Sequence, residues 1–311
     1  MKYLFRCDGN SKIGLGHIMR CLNIAKEIYD NDPQSTIHFL TDDLFTRSII
    51  KDEFIFHATS PESYEKDFLL LVKDLSIDVL ILDVRNDIDI IFLQQLPSNI
   101  LIVTIDDPEK KVEGCDIALY PPVPQLKSRF TTSLSNTKIL SGWQYIPVSK
   151  KFKSRLNNGV KKSKVLISCG SSDPYNYTGL LLNNCLSLLP DVKIDVVLGS
   201  NYVTNNGDYI KSKFKHKVDF YENVNNLEEY LSNSDFAIIT HGQTAYESFC
   251  TGTASVLLPL SEDHYLSSLS LTNCGFGLSV NYPVDVTDLK NKIFKNKHYQ
   301  FHNQIQTDGI S

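Results

Sequence analysis

Short apolar runs that stop at a carboxylate, a hydroxyl or a glycine recur along this chain, and between them apolar residues fall three and four apart. The runs read as strands and the spaced residues as buried faces of helices. In the first half the strand candidates are Tyr3-Leu4-Phe5, Thr36–Leu40, Phe54–His57, Asp78–Asp83, Ile100–Ile105 and Ile117–Tyr120. In the second half they are Lys164–Cys169, Val192–Leu198, Val218–Tyr221, Phe236–Thr240 and Ala254–Leu258. Val79-Leu80-Ile81-Leu82 is apolar on both faces, as in a parallel strand covered by helices on either side. Helical spacing links Ile18, Leu22, Ala25 and Ile28, runs through Tyr64–Leu75 and Leu227–Ser232, and resumes after Asn176 or Thr178 as candidate caps. Thr41-Asp42-Asp43 reads as a turn or N-cap, and Pro121-Pro122-Val123-Pro124 as a stiff segment. The pattern predicts an α/β fold in which two halves follow one architecture, with no fixed-period repeat in the sequence itself.

From Ser141-Gly142-Trp143 to Lys164 the chain turns polar and basic, with Pro147 and Asn157-Asn158-Gly159 as breakers. It reads as a linker between domains, its lysines as a solvated face. The boundary so implied separates residues 1–145 from residues 146–311.

Composition narrows the function classes. A chain of 311 residues has room for two domains, and 42% hydrophobic with 22% charged residues is the balance of a soluble globular protein. A net charge of −5 argues against non-specific nucleic-acid binding. No apolar run is long enough to span a bilayer, and Arg6 and Asp8 interrupt the first one too early for a signal peptide. The 7 cysteines include no Cys-x-x-Cys pair, so they read as reduced, mostly buried thiols of a cytoplasmic protein, and no metal site is expected.

Two strand-to-helix joints carry the candidate chemistry. In Gly14-Leu15-Gly16-His17-Ile18-Met19-Arg20 the glycines allow positive φ and leave no Cβ between the backbone and a ligand. His17 falls in the first helical turn, where the positive end of the helix dipole disfavours imidazolium and keeps a neutral proton acceptor, or else it is a structural histidine. Arg20 shares its face. Asp83 ends an apolar strand at the carboxyl edge of the sheet, where open α/β sheets bind ligands. The second joint is Thr240-His241-Gly242-Gln243-Thr244-Ala245-Tyr246-Glu247. Helix-start amides and the Thr244 hydroxyl suit a pyrophosphate, and Glu247 one turn later suits the two hydroxyls of a ribose. Equally, Gln243 or Thr244 caps the helix and Glu247 favours its dipole. His264, after Pro259-Leu260-Ser261, reads as an exposed loop residue or else as a ligand contact.

Phe5-Arg6-Cys7-Asp8 followed by Ile13-Gly14-Leu15-Gly16-His17-Ile18-Met19-Arg20 resembles the opening signature of the UDP-sugar hydrolases of pseudaminic acid synthesis and their spore-coat polysaccharide relatives. Ser168-Cys169-Gly170-Ser171-Ser172-Asp173-Pro174 is similar to that family's second-domain turn, and Gly242–Glu247 with Gly252 to its nucleotide-binding segment. The resemblance implies a GT-B fold, two Rossmann-like domains with parallel sheets facing a central cleft. It implies metal-independent hydrolysis of a UDP-linked diacetamido-trideoxy-altropyranose by water, with no cofactor, the substrate and other nonulosonic acid enzymes as partners, and neither nucleic acid nor membrane.

By the same resemblance His17 matches the base and Asp83 a carboxylate at the end of its strand, both read as catalytic, while Arg6, Asp8, Gly14, Gly16 and Arg20 contact substrate in the first domain. Gly170, Ser171 and Ser172, then Gly242, Gln243, Thr244 and Glu247, do so in the second. The chain departs from the family at Val84-Arg85, where an aromatic-bearing pair is usual, at Asp263-His264, where Asn-Gln is common, and at His241-Gly242-Gln243, which is bulkier than a Gly-Gly or Ser-Ser pair. The competing functions are a glycosyltransferase of the same fold, giving the sugar to an acceptor hydroxyl, and a nucleotide-sugar binder without turnover.

Overall fold

In the computed structural model, β1 (Lys2–Cys7) takes parallel partners on both edges, β2 (Thr36–Thr41) and β4 (Val79–Asp83). The sheet grows outward from it through β3 (Ile55–Ala58) on one side and β5 (Leu101–Ile105), β6 (Ile117–Tyr120) and β7 (Lys138–Ser141) on the other, giving the order β3-β2-β1-β4-β5-β6-β7. The structure describes residues 1–297 apart from 10–13, 42–44, 51–52, 60–63, 86–87, 127–135, 158–159, 161–162 and 203–206. Ile13, the Asp42-Asp43 turn and Asn158-Gly159 lie outside the described residues.

Alternation along the strands explains why both faces are covered. Leu4, Leu80 and Leu82 pack on one face with Phe68 and Val72 of α2 (Tyr64–Leu75). Phe5, Val79 and Ile81 pack on the other with Ile18, Leu22 and Ala25 of α1 (Gly16–Asn31). Phe5 stacks on Phe39 at 4.9 Å between ring centroids. Each such side chain, fully withdrawn from water, stabilises the layer by roughly 1.5–3 kcal/mol. That anchoring holds the start of α1 at the carboxyl ends of β1 and β4, where the strand order switches direction.

The second sheet repeats the plan around β8 (Lys164–Ser168), flanked by β9 (Lys193–Leu198) and β11 (Phe236–Thr240), with β10 (Asp219–Glu222), β12 (Ser255–Leu258) and β13 (Gly277–Ser279) outside them in the order β10-β9-β8-β11-β12-β13. Its helices include α3 (Lys150–Lys153), α4 (Tyr177–Asn184), α5 (Leu227–Ser232), α6 (Gln243–Thr251), α7 (Glu262–Asn273) and α8 (Val286–Lys297). Asn176 caps α4, accepting from the Gly179 amide at 3.1 Å. The described residues divide into two units, Met1–Pro122 with Leu126–Pro147, and Val123–Gln125 with those from Val148 to the end of α8. Among the described residues no helix is long and apolar enough to cross a membrane.

The stretch read as a linker is more structured than its composition suggests. It begins at the end of β7, passes through a 3-10 turn at Trp143–Tyr145, and contains α3. β7 is an edge strand whose side chains are mostly exposed, so it lacks the apolar run that marks its neighbours. Its cations are also paired: Lys151 and Arg155 stay exposed beside Glu228 and Glu229, and the half-buried Lys164 meets the buried Asp195.

Candidate functional site

The first joint is built by register. Cys7 at the end of β1 lies opposite Asp83 at the end of β4, so the chain leaves β1 beside the Asp83 carboxylate and returns over it as α1. Gly14 adopts φ +80, a conformation closed to most side chains, and a Cβ there would meet nothing within 4 Å. Gly16 opens the helix without a positive φ, and Leu15 at the N-cap offers no side-chain bond.

One turn of α1 then delivers two side chains to one carboxylate. His17 Nδ1 lies 2.6 Å from Asp83 Oδ1, while Arg20 donates from Nε to Oδ2 and from Nη2 to Oδ1, each at 2.6 Å. Cys21 adds a thiol at 3.7 Å. Asp83 is 2% exposed. Burial opposes its ionisation, but Arg20 and then His17 outweigh it and hold the carboxyl well below the usual carboxylate range. An ionised Asp83 only accepts, so the 2.6 Å contact places a ring proton on Nδ1, and in the neutral ring the lone pair is then on Nε2. Among the described residues nothing bonds to Nε2, and the His17 side chain is 22% exposed.

Charge continues outward along the strand ends. Asp106, at φ +50 just past β5, lies 3.5 Å from Arg20 Nη1 and 4.0 Å from Arg85 Nη2, and Asp107 lies 3.9 Å from Arg85 Nη1. Arg85, one of the departures from the family pattern, thus stands between Asp106 and Asp107, whose other oxygen lies 3.3 Å from Lys111 Nζ. Arg6 and Asp8 behave differently. Arg6 is 1% exposed, bonded to Asp8, and donates from Nε to the Tyr64 hydroxyl at 2.8 Å, which ties the end of β1 to the start of α2.

In the second unit Gly170 turns at φ +82 and Ser171 and Ser172 follow, half-buried. The turn is clamped from β9, because a Cβ on Gly199 would stand 2.3 Å from Ser171 Cα and 2.6 Å from the Gly170 carbonyl oxygen. Asp173 closes it by accepting the Tyr177 and Thr178 amides at 2.7 and 2.8 Å.

Gly242, not Gln243 or Thr244, is the N-cap of α6, and no side chain caps it. The capping expectation is therefore corrected: the opening of α6 presents backbone amides beside the half-buried Gln243 and Thr244. Glu247, one turn in, is 8% exposed. Burial pushes its carboxyl up to about 7, against the pull of Lys151 and a Thr244 hydrogen bond and with the push of Glu228.

Two histidines meet beside this joint. His264 sits in the first turn of α7, its amide donating to the Ser261 N-cap at 3.1 Å, so it is half-buried in a helix and not in a loop. Its ring lies 5.6 Å from that of His241, which is 4% exposed with Nδ1 buried and unbonded. Burial, with His264 beside it, pushes the His241 imidazole down to about 3. Among the described residues no group of three or more His, Cys, Asp or Glu side chains could hold a metal ion.

Comparison with known proteins bears on this geometry. A domain of unknown function, DUF8286, matches residues 284–311. An uncharacterized protein of Methanocaldococcus jannaschii is 28% identical over 316 residues, 93% of this chain and 63% of that protein, so the chain spans less than two thirds of that relative. The UDP-2,4-diacetamido-2,4,6-trideoxy-beta-L-altropyranose hydrolase of Campylobacter jejuni is 27% identical over 255 residues, 80% of this chain and 88% of the hydrolase. The crystal structure of Acinetobacter baumannii MurG superposes with a TM-score of 0.63 at 13% identity, covering 96% of this chain and 91% of that one. The fold is of the GT-B kind, two parallel-stranded α/β units.

Proposed function

We propose that this chain hydrolyses a UDP-linked diacetamido-trideoxy sugar, releasing UDP and the free sugar, as a step of nonulosonic acid synthesis. The observation that carries the reading is the His17–Asp83 pair with its open Nε2. A base must be held in orientation with its lone pair turned outward, and Asp83, by accepting from Nδ1, fixes the ring and the tautomer in which the neutral imidazole carries that lone pair on Nε2. In the proposed step Nε2 takes a proton from water as the water oxygen forms a bond to the anomeric carbon. The bond from that carbon to the diphosphate oxygen breaks, and its electron pair leaves on UDP. Within the second unit, the uncapped amides at the start of α6, Thr244 and the turn Gly170-Ser171-Ser172 are donors suited to a diphosphate, and Glu247 an acceptor for a ribose. Gly14 and Gly16 keep the approach to His17 free of side chains, and Arg6 with Asp8 fixes the end of β1. The 27% identity to the Campylobacter jejuni hydrolase supports the substrate class.

The test is release of UDP from the UDP-linked diacetamido-trideoxy-altropyranose without any acceptor, comparing the native chain with His17→Ala. Release that is lost in the variant supports the hydrolase. UDP binding without release, restored by an acceptor alcohol, would instead make the same base serve a glycosyltransferase. UDP binding with no turnover under either condition would leave a nucleotide-sugar binder.

A further inference from the structure

Three helices of the second unit meet around two buried carboxylates. Glu228 in the first turn of α5 and Glu247 in α6 are each 8% exposed, and α6 packs against both α5 and α3. Lys151 of α3 supplies the cation. Its Nζ stands 3.1 Å from Glu228 Oε2 and donates to the Asn225 carbonyl at 2.7 Å. Asn225 lies in the connection between β10 and α5, so a single ammonium holds that connection against a buried carboxylate.

We propose that Lys151 is a positioning residue for nucleotide binding, the cation whose bridge between Glu228 and the Asn225 carbonyl lets Glu247 serve as a charged acceptor for the ribose. The inference rests on the reading that Glu247 binds the ribose hydroxyls. Two carboxylates withdrawn from water repel each other, and each is costly to ionise without a partner. Around Glu247 the charged and titratable groups are few. α3 brings Lys151, with Lys153 acting on Cys250, while α5 brings Glu228, its neighbour Glu229 being taken by Arg155 at 3.3 Å and Asn226 at 2.7 Å. α6 itself adds Tyr246 and Cys250, and β11 and β12 carry no charged residue. With its carboxyl at about 7, Glu247 stands where removal of one neighbouring charge changes its state. As a carboxylate it accepts from two hydroxyls; as an acid it has a proton of its own to place.

The experiment is calorimetric titration of the full chain with UDP from about pH 5.5 to about pH 9, for the native protein, Lys151→Gln, Lys151→Arg, Glu228→Gln and the double variant Lys151→Gln/Glu228→Gln. Native affinity is expected to rise with pH through a midpoint near that of Glu247. Lys151→Gln should move the midpoint up by about one unit, so that affinity at pH 7 falls ~5-fold yet returns to within about twofold near pH 9. Lys151→Arg should keep the native midpoint, Glu228→Gln should lower it, and the double variant should bring it back towards the native value. A loss in Lys151→Gln that is equal at every pH, or no loss, overturns the inference while leaving ribose binding by Glu247 in place. If the native chain binds no UDP at any pH, the nucleotide assignment itself fails, and this inference with it.

Discussion

His17 and Asp83 are 66 residues apart in the chain and 2.6 Å apart in space, because β1 and β4 are neighbours and α1 starts where both end. The same carboxylate takes two bonds from Arg20, so one side chain both orients the imidazole and neutralises a half-buried guanidinium. A residue that does two things can be separated by experiment.

His17→Ala is expected to lower kcat by ~10²–10⁴-fold, the usual span for a positioned base, and to leave UDP affinity within about twofold. Steady-state release of UDP and direct titration of the nucleotide check the two halves. Equal loss in both would deny the division of labour between the units.

Asp83→Asn should be the more damaging change to the fold. It takes from the half-buried Arg20 the nearer of its two anions, leaving Asp106 at 3.5 Å from Nη1, at about 1.5–3 kcal/mol. The native Asp83 carboxyl is held below its unfolded value, so its stabilisation is complete above about pH 4 and fades as pH falls through the native value. Urea midpoints measured from pH 7 downward should therefore converge between native and variant in acid.

Glu247→Gln should act with the opposite sign. The native carboxyl keeps its proton up to about 7 whereas an ordinary Glu ionises near 4.5, so the native chain binds the extra proton in between and loses stability as pH rises through that window. The variant lacks that slope and should gain on the native chain by on the order of 3 kcal/mol across it. It should also raise KM for the UDP-sugar more than it lowers kcat. Thermal melts on either side of the window read the first effect, and no difference in slope would mean the carboxyl titrates normally.

Gly199→Ala should shift the Gly170-Ser171-Ser172 turn, because the new Cβ would stand 2.3 Å from Ser171 Cα and 2.5 Å from its carbonyl oxygen, both backbone atoms. A destabilisation of about 1–3 kcal/mol is expected, together with weaker UDP binding. Unchanged nucleotide affinity in a destabilised variant would take the turn out of the nucleotide site.

Much of this arrangement is legible in the sequence because parallel strands buried on both faces are continuous apolar runs. The strand ending at Asp83, Phe236–Thr240 and the helix Tyr64–Leu75 follow from pattern alone, whereas the choice of Asn176 over Thr178 as cap does not. β7 does not, since an exposed edge strand has no reason to be apolar. His264 was hidden by Pro259, which suggested a loop, although Ser261-Glu262-Asp263 is a workable helix start. The charges were least legible. Spacing placed Arg20 on the face of His17, but nothing local shows that both meet Asp83. Lys151, one lysine in a basic stretch, reveals its partners only once Leu227–Ser232 and Gln243–Thr251 pack beside it.

The seven cysteines carry one more consequence. Six are buried and Cys274, just past the end of α7, is exposed. A thiol reagent therefore finds one address on the native protein, slowed because desolvation raises that thiol, and six more only when the chain opens. A fluorophore at Cys274 would leave both joints unlabelled. The rate at which the remaining thiols become reactive would time the opening of each unit separately, with Cys7, Cys21 and Cys115 reporting on the first and Cys169, Cys185 and Cys250 on the second.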